Sequence, residues 1–160
     1  MFNSQLLIVV LKWLPIVFFG AVFYFEVWLY FSRHQSNILN YKLLIIGSIS
    51  FRVFYAVLLT ISQYYFWSRD EFAKLLLKSP DYFLFYSYGR FWLNVLLSIG
   101  AAFVFYLFLK FLKKYRERFF KKGETKLGFL SVLIVGWPNF VIFLPLVFAF
   151  VVLASIFRRI

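Results

Sequence analysis

The stretch Leu43–Phe66, LLIIGSISFRVFYAVLLTISQYYF, constrains this chain more than any other. About 20 apolar residues rising 1.5 Å each cross a hydrocarbon core of about 30 Å, so the stretch is long enough to span a bilayer as one helix. Its only charged residue, Arg52, stands near the middle. An ionisable side chain at that depth costs on the order of 3 kcal/mol or more. A carboxylate, a lipid phosphate or a water-filled cavity must offset that cost, and the rest of the chain has to supply or admit it.

Apolar runs of this length recur at 6–31, 82–109 and 127–157. Hydrophobic residues make up 64% of the 160 positions, well above the roughly half that soluble domains use. The short alternating segments of an outer-membrane barrel are absent. The pattern predicts an all-α polytopic membrane bundle: one transmembrane domain over 1–160 with about four spans and a short interfacial helix.

There are 18 basic and 6 acidic residues, a net charge of +12. In a soluble protein this excess would suggest nucleic acid. Here the basic residues flank apolar runs, where they orient helices and attract anionic headgroups. The expected partners are therefore anionic phospholipid and, as a second option, other membrane proteins, with no nucleic acid. The chain lacks cysteine and has a single histidine, His34, in a polar loop. Thiolate sites, disulfides and a histidine-built metal site are excluded within one chain, and no cofactor is expected. No small-residue cleavage site follows the apolar Phe2–Val10, so a cleaved leader is not expected.

In the first run, Lys12 and Trp13 suit an interface, which leaves Leu14–Phe31 deeper, with Pro15 in the first turn of that part. Glu26 lies inside the run, and its short side chain snorkels poorly. Gln63–Trp67 forms an aromatic belt after the second run. Ser68 and Glu71 are spaced as a capping box, and Phe72, Leu75 and Leu76 share a face. This predicts an interfacial helix over 69–78, stopped by Pro80. In the third run Tyr86, Arg90, Asn94 and Ser98 recur every four residues, placing a polar stripe on one helix face. Such a stripe serves helix–helix hydrogen bonding or faces a cavity. Residues 110–126 carry eight basic and two acidic residues, and Lys113, Lys114, Arg116, Arg118, Lys121 and Lys122 form a candidate surface for anionic lipid. The fourth run is interrupted at Gly136-Trp137-Pro138-Asn139, with Pro145 beyond, so a kinked or broken helix is expected. The strongly basic 110–126 loop predicts a cytoplasmic location for itself and an outward amino terminus, in a bacterial inner membrane.

Two readings of Arg52 stand side by side. In the first, Arg52 pairs with Glu26 across adjacent antiparallel spans. In the second, Arg52 and Arg90 share one cavity and present two guanidinium forks to a phosphate or phospholipid headgroup, with Asn94 and Tyr55 hydrogen-bonding glycerol or ester oxygens. Catalytic constellations are otherwise missing: there is no Gly-rich phosphate loop and no nucleophile with an adjacent base, so Glu26 would carry acid–base work almost alone.

The run Arg52-Val53-Phe54-Tyr55-Ala56-Val57-Leu58, followed by Gln63-Tyr64-Tyr65 and by Phe85-Tyr86-Ser87-Tyr88-Gly89, resembles the second-helix region and third-helix entry of bacterial prolipoprotein diacylglyceryl transferases. The resemblance covers about 15–110. It implies glyceryl transfer from phosphatidylglycerol to a lipoprotein. The family's third helix opens with a histidine where this chain has Tyr86, Ser87 or Tyr88. The hallmark Gly-Arg-x-Gly-Asn-Phe has only an echo in Gly136-Trp137-Pro138-Asn139-Phe140, without the arginine. The sequence therefore supports a lipid-binding or assembly subunit of a membrane complex, with a truncated transferase relative and a transporter or channel component as alternatives.

Overall fold

The computed structural model describes residues 4–31, 38–115 and 124–157, and the described chain is helical throughout its long elements. Helix α1 (Ser4–Phe31) and helix α2 (Ile38–Arg69) are followed by the short α3 (Glu71–Leu76). Helix α4 (Pro80–Ser87) passes through a π turn, Tyr88–Trp92, into α5 (Leu93–Tyr115). Helices α6 (Glu124–Val135) and α7 (Phe140–Phe157) complete the order. Among the described residues three helical stretches are long and apolar enough to cross a membrane: Leu6–Leu29, Tyr41–Arg69 and Pro80–Lys114. This is an all-α integral membrane protein. The outer faces carry large apolar side chains such as Val17, Phe54, Val104 and Ile142, all more than half exposed, as lipid-facing helices do.

The fourth apolar run is divided. The 12 residues of α6 rise only about 18 Å, too short to cross the hydrocarbon. Helix α6 nevertheless forms the centre of the bundle. Leu130, Val132 and Leu133 are completely buried, and Val132 and Leu133 pack with Ala102 of α5 against Ile49 of α2 and Phe140 and Phe143 of α7. Helices α5 and α6 meet closely at Gly128, where an added Cβ would require the Leu109 side chain to move. Small residues at a helix contact let membrane helices meet by packing alone, where no hydrophobic force drives them together.

Several boundaries differ from the sequence expectation. Pro15 lies in the interior of α1 rather than in a first turn. Helix α2 continues to Arg69, so Ser68 is still helical and its hydroxyl donates to the Tyr65 carbonyl at 2.8 Å. The cap of α3 is Asp70, the first extended residue, whose carboxylate accepts from the Phe72 and Ala73 amides. Pro80 opens α4 instead of stopping α3, because at the first helical position its missing N–H costs nothing. Of the expected basic surface, Lys113 and Lys114 lie on the last turn of α5, while Arg116, Arg118, Lys121 and Lys122 lie outside the described residues. His34 lies outside them too.

The two ends of the bundle are distinct. At one, Trp67 at the close of α2 meets Tyr82, Phe83 and Tyr86 of α4, with ring centroids 4.9–6.4 Å apart. At the other, the start of α2, the end of α5 and the start of α6 come together around Lys42, Tyr106 and Lys126.

Candidate functional site

The break between α6 and α7 begins with missing backbone donors. In a continuous helix the carbonyl of Ile134 would accept from residue 138, which is a proline without an N–H. The carbonyl of Leu133 would accept from Trp137, whose amide instead donates to Ser98 Oγ at 2.9 Å. The last regular bond of α6 runs from the Gly136 amide to the Val132 carbonyl. Gly136 then turns left-handed, at φ 68°, a conformation that side chains other than glycine's rarely adopt. Two carbonyls at the negative end of α6 are thus left without helical donors, level with Ser98 near the midpoint of the apolar stretch Pro80–Lys114.

Arg52 fills both positions. Its Nε donates to the Leu133 carbonyl at 3.0 Å, and one terminal nitrogen reaches Leu133 at 2.5 Å and Ile134 at 3.3 Å. The other terminal nitrogen lies 3.4 Å from Ser98 Oγ. Ser98 is fully buried on α5; it donates to the Asn94 carbonyl and accepts from Arg52 and the Trp137 amide. The guanidinium lies over the Phe19 ring, 4.7 Å from its centroid. A cation at a helix C-terminus is favoured by the macrodipole, and donors to orphaned carbonyls offset the burial of charge.

A second proline sets a parallel arrangement one turn away. Pro15 leaves the Leu11 carbonyl of α1 without its helical donor, and the Tyr55 hydroxyl of α2 donates to that carbonyl at 2.9 Å. The Phe51 ring of α2 stacks on Phe18 of α1, with centroids 3.7 Å apart.

The outer side of Arg52 borders a cavity of about 120 Å3 between α1, α2 and the π-turn region. At ~30 Å3 per water molecule, it has room for a phosphate- or glycerol-sized group. Arg52, Tyr55, Arg90 and Asn94 all line it, among Pro15, Phe19, Phe51 and Val95. The structure therefore brings four of the five expected residues together. At 3.6 residues per turn, positions four apart drift by about 40° around a helix. The wider π turn, closed by the Leu93 amide on the Tyr88 carbonyl, offsets this drift and turns Arg90 and Asn94 to the same cavity. The stripe divides accordingly, with Tyr86 tilted on Trp67 and Ser98 in the core. Arg90 and Asn94 are exposed, and neither side chain has a hydrogen-bond partner among the described residues.

Glu26, the fifth residue, is elsewhere. It is 3% exposed against α6, where Oε1 accepts from the Ser131 hydroxyl at 2.9 Å and Oε2 has no partner among the described residues. The ion pair expected between Arg52 and Glu26 does not form. The physical reason is that the broken helix offers Arg52 carbonyl acceptors, whereas the sequence reading considers a carboxylate, a lipid phosphate or a water-filled cavity. The signal was present: a proline four residues beyond any carbonyl in a membrane helix announces an unsatisfied acceptor. Ser131 as the partner of Glu26 left no such trace. Comparison of the chain with protein-family models, curated proteins and solved structures gives no match.

Proposed function

We propose that this chain binds the headgroup of an anionic phospholipid in the cavity between α1, α2 and the π turn, as an integral protein of a bacterial cytoplasmic membrane. The observation that carries this reading is Arg90, a guanidinium without a partner among the described residues, on a helix long and apolar enough to cross a membrane and lining a cavity shared with Arg52. Lys110 follows Arg90 by 20 positions, a rise of about 30 Å. With Lys110 at one edge of the hydrocarbon, Arg90 stands at the other, at the depth of phosphate and glycerol groups. Arginine binds phosphate in a fork, and Asn94 adds both a donor and an acceptor for glycerol or ester oxygens.

The transferase reading needs a group to take and return a proton. Among the described residues the cavity lining holds no carboxylate or imidazole, and the Tyr55 hydroxyl donates to the Leu11 carbonyl. Binding is the chemistry these residues favour. The assembly-subunit reading draws on α7, which packs chiefly on α6 and presents Val141, Ile142 and Leu146 outward.

Native mass spectrometry of the full chain, released from mild detergent with phosphatidylglycerol or phosphatidylcholine, tests the proposal. Wild type should retain phosphatidylglycerol in preference, and Arg90→Leu combined with Asn94→Leu should cut that retention about tenfold, the effect of losing ~1.4 kcal/mol of charge-assisted bonding. Equal retention by the variant would reject the site. Arg52→Leu is the poorer probe, because Arg52 also holds the break in the fourth run. A stoichiometric protein partner in the same spectra would favour the subunit reading.

A further inference from the structure

We infer that a second phospholipid site lies at the opposite end of the bundle, in a groove walled by α2, α5 and α6. The groove has a volume of about 220 Å3 and is lined by Lys42, Ile45, Phe103, Tyr106, Lys126 and Phe129. It does not depend on the Arg90 cavity and shares no residue with it.

The lining is ordered as an amphiphile is. Ile45 and Phe129 each lie three positions further into their helices than Lys42 and Lys126, about 4.5 Å deeper. Lys42 and Lys126, each near the start of its helix, line the groove at one end, and the rest of the lining is aliphatic and aromatic. Tyr106 closes one wall edge-on against Phe129, with centroids 6.0 Å apart. Lys42 lies one position inside the membrane-crossing stretch Tyr41–Arg69, which places it at the hydrocarbon edge. Neither lysine has an ion-pair partner among the described residues. Two lysines from separate helices that line one largely apolar groove near the hydrocarbon edge complement one occupant: a phospholipid with an anionic headgroup, its phosphate reached by the lysines and an acyl chain along Phe103 and Phe129. A soluble anion would leave the apolar lining unused, and an uncharged lipid would leave the lysines unused.

The test uses the whole chain in mild detergent and counts bound lipids by native mass spectrometry with phosphatidylglycerol and phosphatidylcholine as probes. At about 1 kcal/mol per lysine, Lys42→Gln with Lys126→Gln should weaken one phosphatidylglycerol binding step by about 30-fold, leaving phosphatidylcholine binding unchanged. The charge-keeping pair Lys42→Arg and Lys126→Arg should restore it, which separates lost charge from misfolding. Ile45→Trp, which fills the groove and keeps both charges, should weaken the same step. If the glutamine pair binds phosphatidylglycerol as wild type does, or Ile45→Trp has no effect, the groove is not a lipid site. The Arg90 cavity has its own variants, so either site can fail while the other stands.

Discussion

Arg52 and Tyr55 sit almost one turn apart on α2, and each serves a carbonyl that a proline deprived of its donor. In water those carbonyls would be solvated at little cost. In hydrocarbon each would be unsatisfied, so the proline and the polar side chain are energetically one unit. This yields a double-mutant prediction for Tyr55 and Pro15. Tyr55→Phe alone should destabilise the detergent-solubilised protein by about 1–2 kcal/mol, through the bare Leu11 carbonyl. Pro15→Ala returns an N–H to that carbonyl, so Tyr55→Phe in the Pro15→Ala background should cost about 1 kcal/mol less. Strictly additive effects in unfolding titrations would show that hydroxyl and proline act separately. Arg52 as an expensive central charge was legible in the sequence, as was its neighbourhood with Arg90, Asn94 and Tyr55. Pro138 marked one open carbonyl, at Ile134, but nothing in the residue types joined that carbonyl to Arg52, 82 positions away.

At the scale of elements, the break between α6 and α7 is the feature on which the others converge. It offers carbonyls to Arg52, an amide to Ser98, and a left-handed residue at Gly136. A Cβ at Gly136 would also fall on the Arg52 guanidinium. Gly136→Ala therefore combines backbone strain of about 1–2 kcal/mol with displacement of the clamp, and thermal unfolding should show a loss of about 3 kcal/mol. Gly89, in the π turn, has open space where a Cβ would go. Gly89→Ala should stay within about 1 kcal/mol of wild type. Equal melting of the two variants would mean the Gly136 turn does not hold the break. The interruption itself was legible from Gly136 and Pro138. The π turn was not, because it depends on where α4 and α5 pack, and Tyr88–Trp92 carries no residue that requires it. The Ser68–Glu71 spacing misled because α2 runs one turn further than its apolar core, which leaves Asp70 as the first residue free to cap.

The whole molecule has a relative topology that fixes which charges share a side. Lys42, Tyr106 and Lys126 meet in one groove, while Trp67, Tyr82 and Tyr86 meet at the far end. The start of α2, the end of α5 and the start of α6 therefore lie at one end of the bundle, and the end of α2 and the start of α4, which flank α3, lie at the other. In sequence, the stretch 110–126 that joins α5 to α6 is strongly basic, whereas 68–81 holds three basic and three acidic residues. Basic loops are retained in the cytoplasm, so the groove should face the inner leaflet and the Arg90 cavity the outer one. The chain is free of cysteine, which makes single cysteines clean reporters. Ser79→Cys, exposed between α3 and α4, should react with a membrane-impermeant maleimide in right-side-out vesicles. Lys122→Cys should react only after the vesicles are opened. One crossing, Pro80–Lys114, separates the two positions, so their labelling must be opposite for this architecture to hold. Labelling of both in sealed vesicles would contradict the fold. The reverse pattern would keep the fold and exchange the leaflets from which the two sites draw their lipids.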